Sequence, residues 1–219
     1  MSEITTENHS KEFFISGYKD YCKRVGVLPS SSYRLCRYLF VSENDFYTHF
    51  DSIKSLQQEI WGRLLQPTFD RLNASKEYAD YSTREKLLAF YYTLIEDLKA
   101  ENYLLRVSFD SFRWSLFVNY QLDALKASFQ PYINELIAQA TATEEITPRP
   151  FLDNYYQDIF WIHLVFILNF YSSDTSAEFS DTDAAIEKST NLLFDLLSRN
   201  AGDAAVDFGK FVVQHGFKR

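Results

Sequence analysis

Between residues 11 and 25, apolar side chains recur at Phe14, Tyr18, Tyr21, Cys22 and Val25, while Lys19, Lys23 and Arg24 take other positions. Steps of three and four place the first set on one face of a helix. Gly26 stops that helix. Pro29 with Ser30, Ser31 and Ser32 then forms a turn and supplies an N-cap for a second helix near 32–39, buried through Leu35, Cys36 and Leu39. Ser42 can cap a third helix over 43–49, because its hydroxyl accepts from a free N–H of the first turn. Phe46, Tyr47 and Phe50 close it. A long helix is predicted from Asp51 or Ser52 toward residue 72, with Leu56, Ile60, Leu64 and Phe69 at steps of four or five and Pro67 bending or shortening it.

A polar loop over 73–82 precedes five more predicted helices, at 83–99, 102–119, 121–141, 150–172 and 182–199. TATEEITPRP at 141–150 is a loop because two prolines do not fit inside a helix. SSDTSAEFSD at 172–181 is rich in side chains that compete with the backbone for hydrogen bonds. RNAGDA at 199–204 is a stop, followed by a short tail with Val206, Phe208, Phe211, Val212 and Phe217 beside Lys210, Lys218 and Arg219. There is neither strand alternation nor an internal repeat. The expected fold is all-α: a three-helix head joined to a larger helical bundle.

The 150–172 helix is apolar nearly all round, the pattern of a buried helix. His163 and Asn169 interrupt it, and each is expected to find an internal hydrogen-bond partner. The sharper alternative is that His163 orients a ligand.

Composition supports a packed helical protein. The chain has 219 residues, 46% of them hydrophobic and 24% charged, with only 6 Gly and 5 Pro. Its 20 Phe, 15 Tyr and 3 Trp can fill a wide interior or line an apolar pocket. Cys22 and Cys36 match no zinc spacing and read as buried small hydrophobes. The N-terminal MSEITTENHSKEF has no apolar signal core, and the longest nearly apolar run, 159–171, is too short to span a bilayer. A cytoplasmic protein without a transmembrane segment is expected.

GVLPSSSYRLCRYLFVSENDFYTHFDSIKSL, residues 26–56, resembles the DNA-binding head of the tetracycline-repressor (TetR) family. Gly26, Ser31, Leu35, Val41, Ser42, Tyr47, His49, Phe50, Ser52 and Leu56 fall on matching positions, and Tyr47-Thr48-His49-Phe50 after Val41-Ser42 is the most specific part. The sequence departs from the family at the turn glycine, here Phe40, and at the Lys and Gly after the serine, here Glu43 and Asn44. Thr48 replaces a frequent basic residue. Ile53 stands where relatives carry a phosphate-touching Lys, with Lys54 one step on, about 100° around a helix.

The resemblance implies a helix-turn-helix domain over 1–52 and a ligand-binding and dimerisation domain over 53–219. It implies DNA contact through Ser32, Ser42, Glu43, Asn44, Tyr47, Thr48, His49 and Lys54. It also implies a homodimer through the helices near 150–172 and 182–199, and an effector pocket on the middle helices. There the aromatic run Phe109, Phe112, Trp114, Phe117 and Tyr120, with His163, is the candidate lining for an apolar, fairly large ligand. The expected function is a ligand-responsive transcriptional regulator.

Charge argues for an alternative. The net charge is −8, and residues 1–60 hold seven Lys or Arg against eight Asp or Glu, a net −1. Non-specific DNA affinity comes largely from cations that neutralise phosphates, so this head has little of it. The alternative is a TetR-fold protein that has lost DNA binding and serves as a lipid- or apolar-ligand-binding accessory protein. Coenzyme Q biosynthesis accessory proteins, which bind lipid, also resemble this fold, and the 204–219 tail has a composition suited to a membrane surface. His9, His49, His163 and His215 show no metal spacing, and neither a phosphate loop nor a nucleophile elbow is present, so neither an enzyme nor a cofactor is expected.

Overall fold

The computed structural model of the chain describes residues 9–112, 120–148 and 155–198, and among these every regular element is helical. The head begins with α1 (Lys11–Val25), which starts where Ser10 Oγ accepts from Phe13 N–H. It ends where Gly26, at φ 74°, turns left-handed and donates its N–H to the Cys22 carbonyl. Ser31 caps α2 (Ser32–Leu39) and Ser42 caps α3 (Glu43–Tyr47), each accepting from the N–H three residues on. α3 stops at Tyr47, two residues earlier than its pattern suggested. α4 (Ile53–Gly62) opens with a reciprocal Ser52–Ser55 capping box.

The predicted long helix is broken. α4 ends at Gly62, residues 63–65 turn, and α5 (Gln66–Ala74) begins anew. Pro67 explains the place. In a continuous helix its nitrogen would have to donate to the Arg63 carbonyl, which proline cannot do, whereas in the first turn of a new helix no such bond is needed. α6 (Thr83–Leu98), α7 (Asn102–Phe112), α8 (Tyr120–Ala142), α9 (Tyr156–Ser173) and α10 (Ser180–Leu197) follow close to their predicted ranges. The 73–82 loop contains a 3-10 turn at Glu77–Asp80. The predicted helical positions 113–119 and 150–154, and the apolar tail, lie outside the described residues. No described helix is long and apolar enough to cross a membrane.

The helices group into two compact units: Met1–Leu65 with Leu98–Ser128, and Gln66–Asp97 with Phe129–Arg219. In the first, α1, α2 and α3 close over Phe14, Tyr18, Leu35, Cys36, Phe46 and Phe50, and Leu56 and Ile60 of α4 and Leu104 of α7 complete the same core. Phe14 meets Phe46 edge-on at 5.3 Å. Gly17 lets α1 and α2 approach, since a Cβ there would lie 2.6 Å from Leu39 Cδ2. These packing units differ from a functional division at residue 52, because α4 and α7 belong to the packing of the head.

In the second unit, Phe90, Tyr91, Phe129, Phe160, Leu164, Leu168 and Phe194 are fully buried or nearly so. His163 is buried and satisfied at both ring nitrogens. Ser189 Oγ sends its own proton to the Ala185 carbonyl at 2.5 Å, so it accepts from His163 Nε2–H at 2.8 Å. Nδ1 then accepts from Tyr91 O–H at 2.9 Å. Burial pulls His163 down to about 4, so the ring is neutral at ordinary pH. Asn169 has no such role: it lies on the exposed side of α9, so an internal partner is not required of it.

The α9–α10 turn is closed by Asp174. Its carboxylate accepts from Ser176 N–H at 2.7 Å, Thr182 N–H at 2.9 Å and Thr182 O–H at 2.6 Å. Burial raises its pKa, but these bonds to the charged form outweigh burial and bring it down to about 2. Asp174→Ala is expected to cost about 1–3 kcal/mol in urea denaturation, since it strands buried donors. The folded pKa is depressed, so the contribution is complete above the ordinary value of 3.8 and is lost as pH falls toward about 2. The difference between wild type and variant should shrink across that window.

Candidate functional site

α2, its turn and α3 form the outward part of the head. The turn residue Phe40 sits at φ 58°, ψ 36°, left-handed and 95% exposed. A β-carbon is costly in that conformation, and no packing offsets the cost. The turn closes nonetheless, with Phe40 N–H and Val41 N–H both donating to the Cys36 carbonyl.

The two carboxylates of α3 are engaged within the head. Asp45 Oδ2 lies 2.5 Å from His9 Nδ1, an ion pair when that ring is protonated. The Ser32 and Tyr47 hydroxyls share a bond of 2.8 Å, in which one donates to the other, and the hydroxyl whose proton is left donates to Glu43 Oε2, 3.4 Å from both. Both acids therefore face partners that a charge count along the sequence does not reveal.

The candidate DNA-contacting residues fall into three groups. Ser42, Asn44, Tyr47, Thr48 and Lys54 are exposed, although the Thr48 hydroxyl donates to the Asp45 carbonyl at 2.7 Å. Glu43 is half-buried and Ser32 buried, both drawn into the Tyr47 contact. His49 is half-buried; its Nε2 bonds the His9 carbonyl and its ring lies 5.8 Å from that of Phe14.

Several head cations are already committed. Lys11 pairs with Glu59 at 3.0 Å, Lys19 with Glu101 at 2.5 Å, Arg24 with Asp20 at 2.8 Å and Arg63 with Glu12 at 2.6 Å. Arg34 and Arg37 of α2 are exposed and form no ion pair among the described residues. Arg37 lies 5.8 Å from the exposed Tyr33 ring. The two line up on the outside of α2 because they are three residues apart, a signal the sequence did carry. Burial pushes the Cys22 thiol up to about 12 and, with help from the Glu43 and Asp45 charges, the Cys36 thiol up to about 11. Both are inert thiols at ordinary pH.

Two residues of the expected aromatic pocket lining have described side chains, Phe109 and His163. Phe109 is buried in the first unit, 6.2 Å from Trp61, and His163 is held by Tyr91 and Ser189 in the second. Trp114 and Phe117, and the side chains of Phe112 and Tyr120, lie outside the described residues. The second unit has a cavity of about 340 Å³ elsewhere, walled by α5, α6, α8 and the 75–79 segment. Phe69, Tyr78 and Tyr132 supply its aromatic surface and Lys86, Glu135 and Gln139 its polar one. Sequence periodicity could not reveal it, because the lining is gathered from segments as far apart as 69 and 139.

The body of this fold also matches a known family. Residues 86–212 fit the profile described as "Tetracyclin repressor-like, C-terminal domain". The chain belongs to the TetR family. A search of the curated proteins finds no match. The matched segment starts at Lys86 and leaves out the helix-turn-helix, so the TetR likeness of the head rests on separate residues, 26–56. The assignment, carried by the body, is to a family of regulators that are generally not enzymes.

Within the TetR head, Phe40 stands at the family's turn glycine. Phe40→Gly is expected to stabilise the protein by roughly 0.5–1 kcal/mol, the left-handed penalty less the extra entropy glycine loses on folding. Chemical denaturation of the two forms measures it. A loss of stability would mean that the exposed ring makes a contact it is not seen to make.

Proposed function

We propose that this TetR-family protein is a ligand-responsive transcriptional regulator that binds DNA as a homodimer and acts in the cytoplasm. The observation that carries the reading is the engagement of both α3 carboxylates. With Asp45 facing His9 and Glu43 facing the Ser32–Tyr47 hydroxyl pair, Asn44, Tyr47 and Thr48 are left outward, and Arg34, Arg37 and Lys54 are exposed on the same head. Asn44 suits adenine, whose edge offers a donor and an acceptor to a side-chain amide. The three cations suit phosphates.

Dimerisation has support of its own. α9 leaves Ile162 and Phe166, and α10 leaves Leu192 and Leu196, about half exposed. Apolar positions on two adjoining helices of the body are what a second copy would cover. An effector that favours one arrangement of the two reading helices would then change DNA affinity by linkage.

The second reading, a TetR-fold accessory protein that binds an apolar ligand or lipid and not DNA, is favoured by the near-neutral head and its internally paired lysines and arginines. Titration against duplex DNA containing the sequence upstream of its own coding region separates the two. Three cations on each of two heads give a slope of log K on log salt of roughly −5. Arg34→Ala with Arg37→Ala should reduce that slope by about three to four. Absence of binding at low salt would end the regulator reading.

Phe166→Glu is expected to turn the dimer into a monomer in sedimentation analysis while leaving the helical circular dichroism intact. A wild-type monomer at micromolar concentration would sink the dimer.

A further inference from the structure

The cavity of the second unit has walls of two kinds. Three rings form one side: Phe69 lies 5.3 Å from Tyr132, and Tyr132 stacks on the buried Phe90 at 4.9 Å with 27° between planes. Phe69, Tyr78 and Tyr132 are each half-buried, so part of every ring remains available. The Tyr78 and Tyr132 hydroxyls meet at 3.1 Å, and burial raises both phenols, so they stay protonated and neutral.

The other side carries one ammonium in an unusual position. Lys86 is a half-buried residue whose Nζ donates to the neutral Gln139 amide oxygen at 2.8 Å, yet it forms no ion pair among the described residues. Gln139 in turn donates to Glu135 at 3.1 Å. The amide therefore stands between the lysine and the nearest carboxylate of the wall. Glu135 is exposed and water-screened, whereas Lys86 is half-buried and its ammonium, bonded to the amide, has two N–H donors left over. A cation held by a neutral amide and with donors to spare is best served by an anion that can reach it.

We propose that this cavity binds a planar aromatic carboxylate, its ring laid along Phe69 and Tyr132 and its carboxylate on Lys86 Nζ. A volume of about 340 Å³ is at the small end for ligand pockets, which suits a molecule of one or two fused rings and not a long acyl chain. Flat aromatic walls favour a flat partner for the same reason. The cavity's role as an effector site rests on the regulator reading. The binding chemistry does not.

The test uses the full chain and three isosteric probes measured by calorimetry: 2-naphthoate, 2-naphthamide and 2-naphthylmethylammonium. The acid should bind at least about tenfold more tightly than the amide, and the ammonium most weakly. Lys86→Met should bring acid and amide level, while Lys86→Arg should retain the preference for acid. Equal affinity of the wild type for acid and amide would overturn the proposal. So would a preference for the ammonium, which would hand the site to Glu135, or no naphthoate binding at millimolar concentration. Because no DNA is present, an inactive head leaves this result standing, and an empty cavity leaves DNA binding to be judged separately.

Discussion

A helix of five residues has almost no stability of its own, because the first turn fixes several dihedrals for a single hydrogen bond. α3 is such a helix, and it is held by the burial of Phe46. That ring is in edge contact with Phe14 at 5.3 Å and with Tyr47 at 5.5 Å, and lies 5.6 Å from Phe50. Burying such a ring is worth about 1.5–3 kcal/mol, which offsets the ordering of one or two residues of the turn at about 1–2 kcal/mol each. What α3 presents outward is positioned by what Phe46 does inward: the direction of Asn44, the reach of Tyr47, the closeness of Asp45 to His9.

The same arrangement decides where the two acids of α3 point. Glu43 and Asp45 look prohibitive beside a polyanion when counted along the chain. In three dimensions each faces a hydrogen-bonding partner, His9 for one and the Ser32–Tyr47 pair for the other. The Tyr47 arrangement also means that a phosphate seeking that phenol meets a carboxylate already in place. Any DNA bound there would exchange one anion for another, so the contact should be specific before it is strong.

Local chemistry was readable from the sequence. Ser31, Ser42, Ser52 and Gly26 mark helix ends by mechanisms acting within three or four residues, and the helices start and stop beside them. The all-α architecture followed from the same spacing, and the family from the resemblance of residues 26–56. What could not be read depends on distance along the chain. His9 finds Asp45 across 36 positions, and the Lys86–Gln139 bond spans 53. The break at 63–65 was half visible in Pro67, but its exact place needed the packing of both flanking helices. Asn169 interrupts a run that is apolar nearly all round, and the exposed stripe of α9 that takes it exists only in the fold.

The hydrophobic interior of the head draws Leu56 and Ile60 from α4 and Leu104 from α7, residues that lie beyond the helix-turn-helix itself. The polypeptide passes from one packing unit to the other at 65–66, again at 97–98 and once more at 128–129. A fragment cut after residue 52 would carry every presumed reading residue except Lys54, and would lack one wall of the core that holds them still. Excision and transplantation, the usual ways of borrowing a DNA-binding module, would here deliver a motif without its foundation.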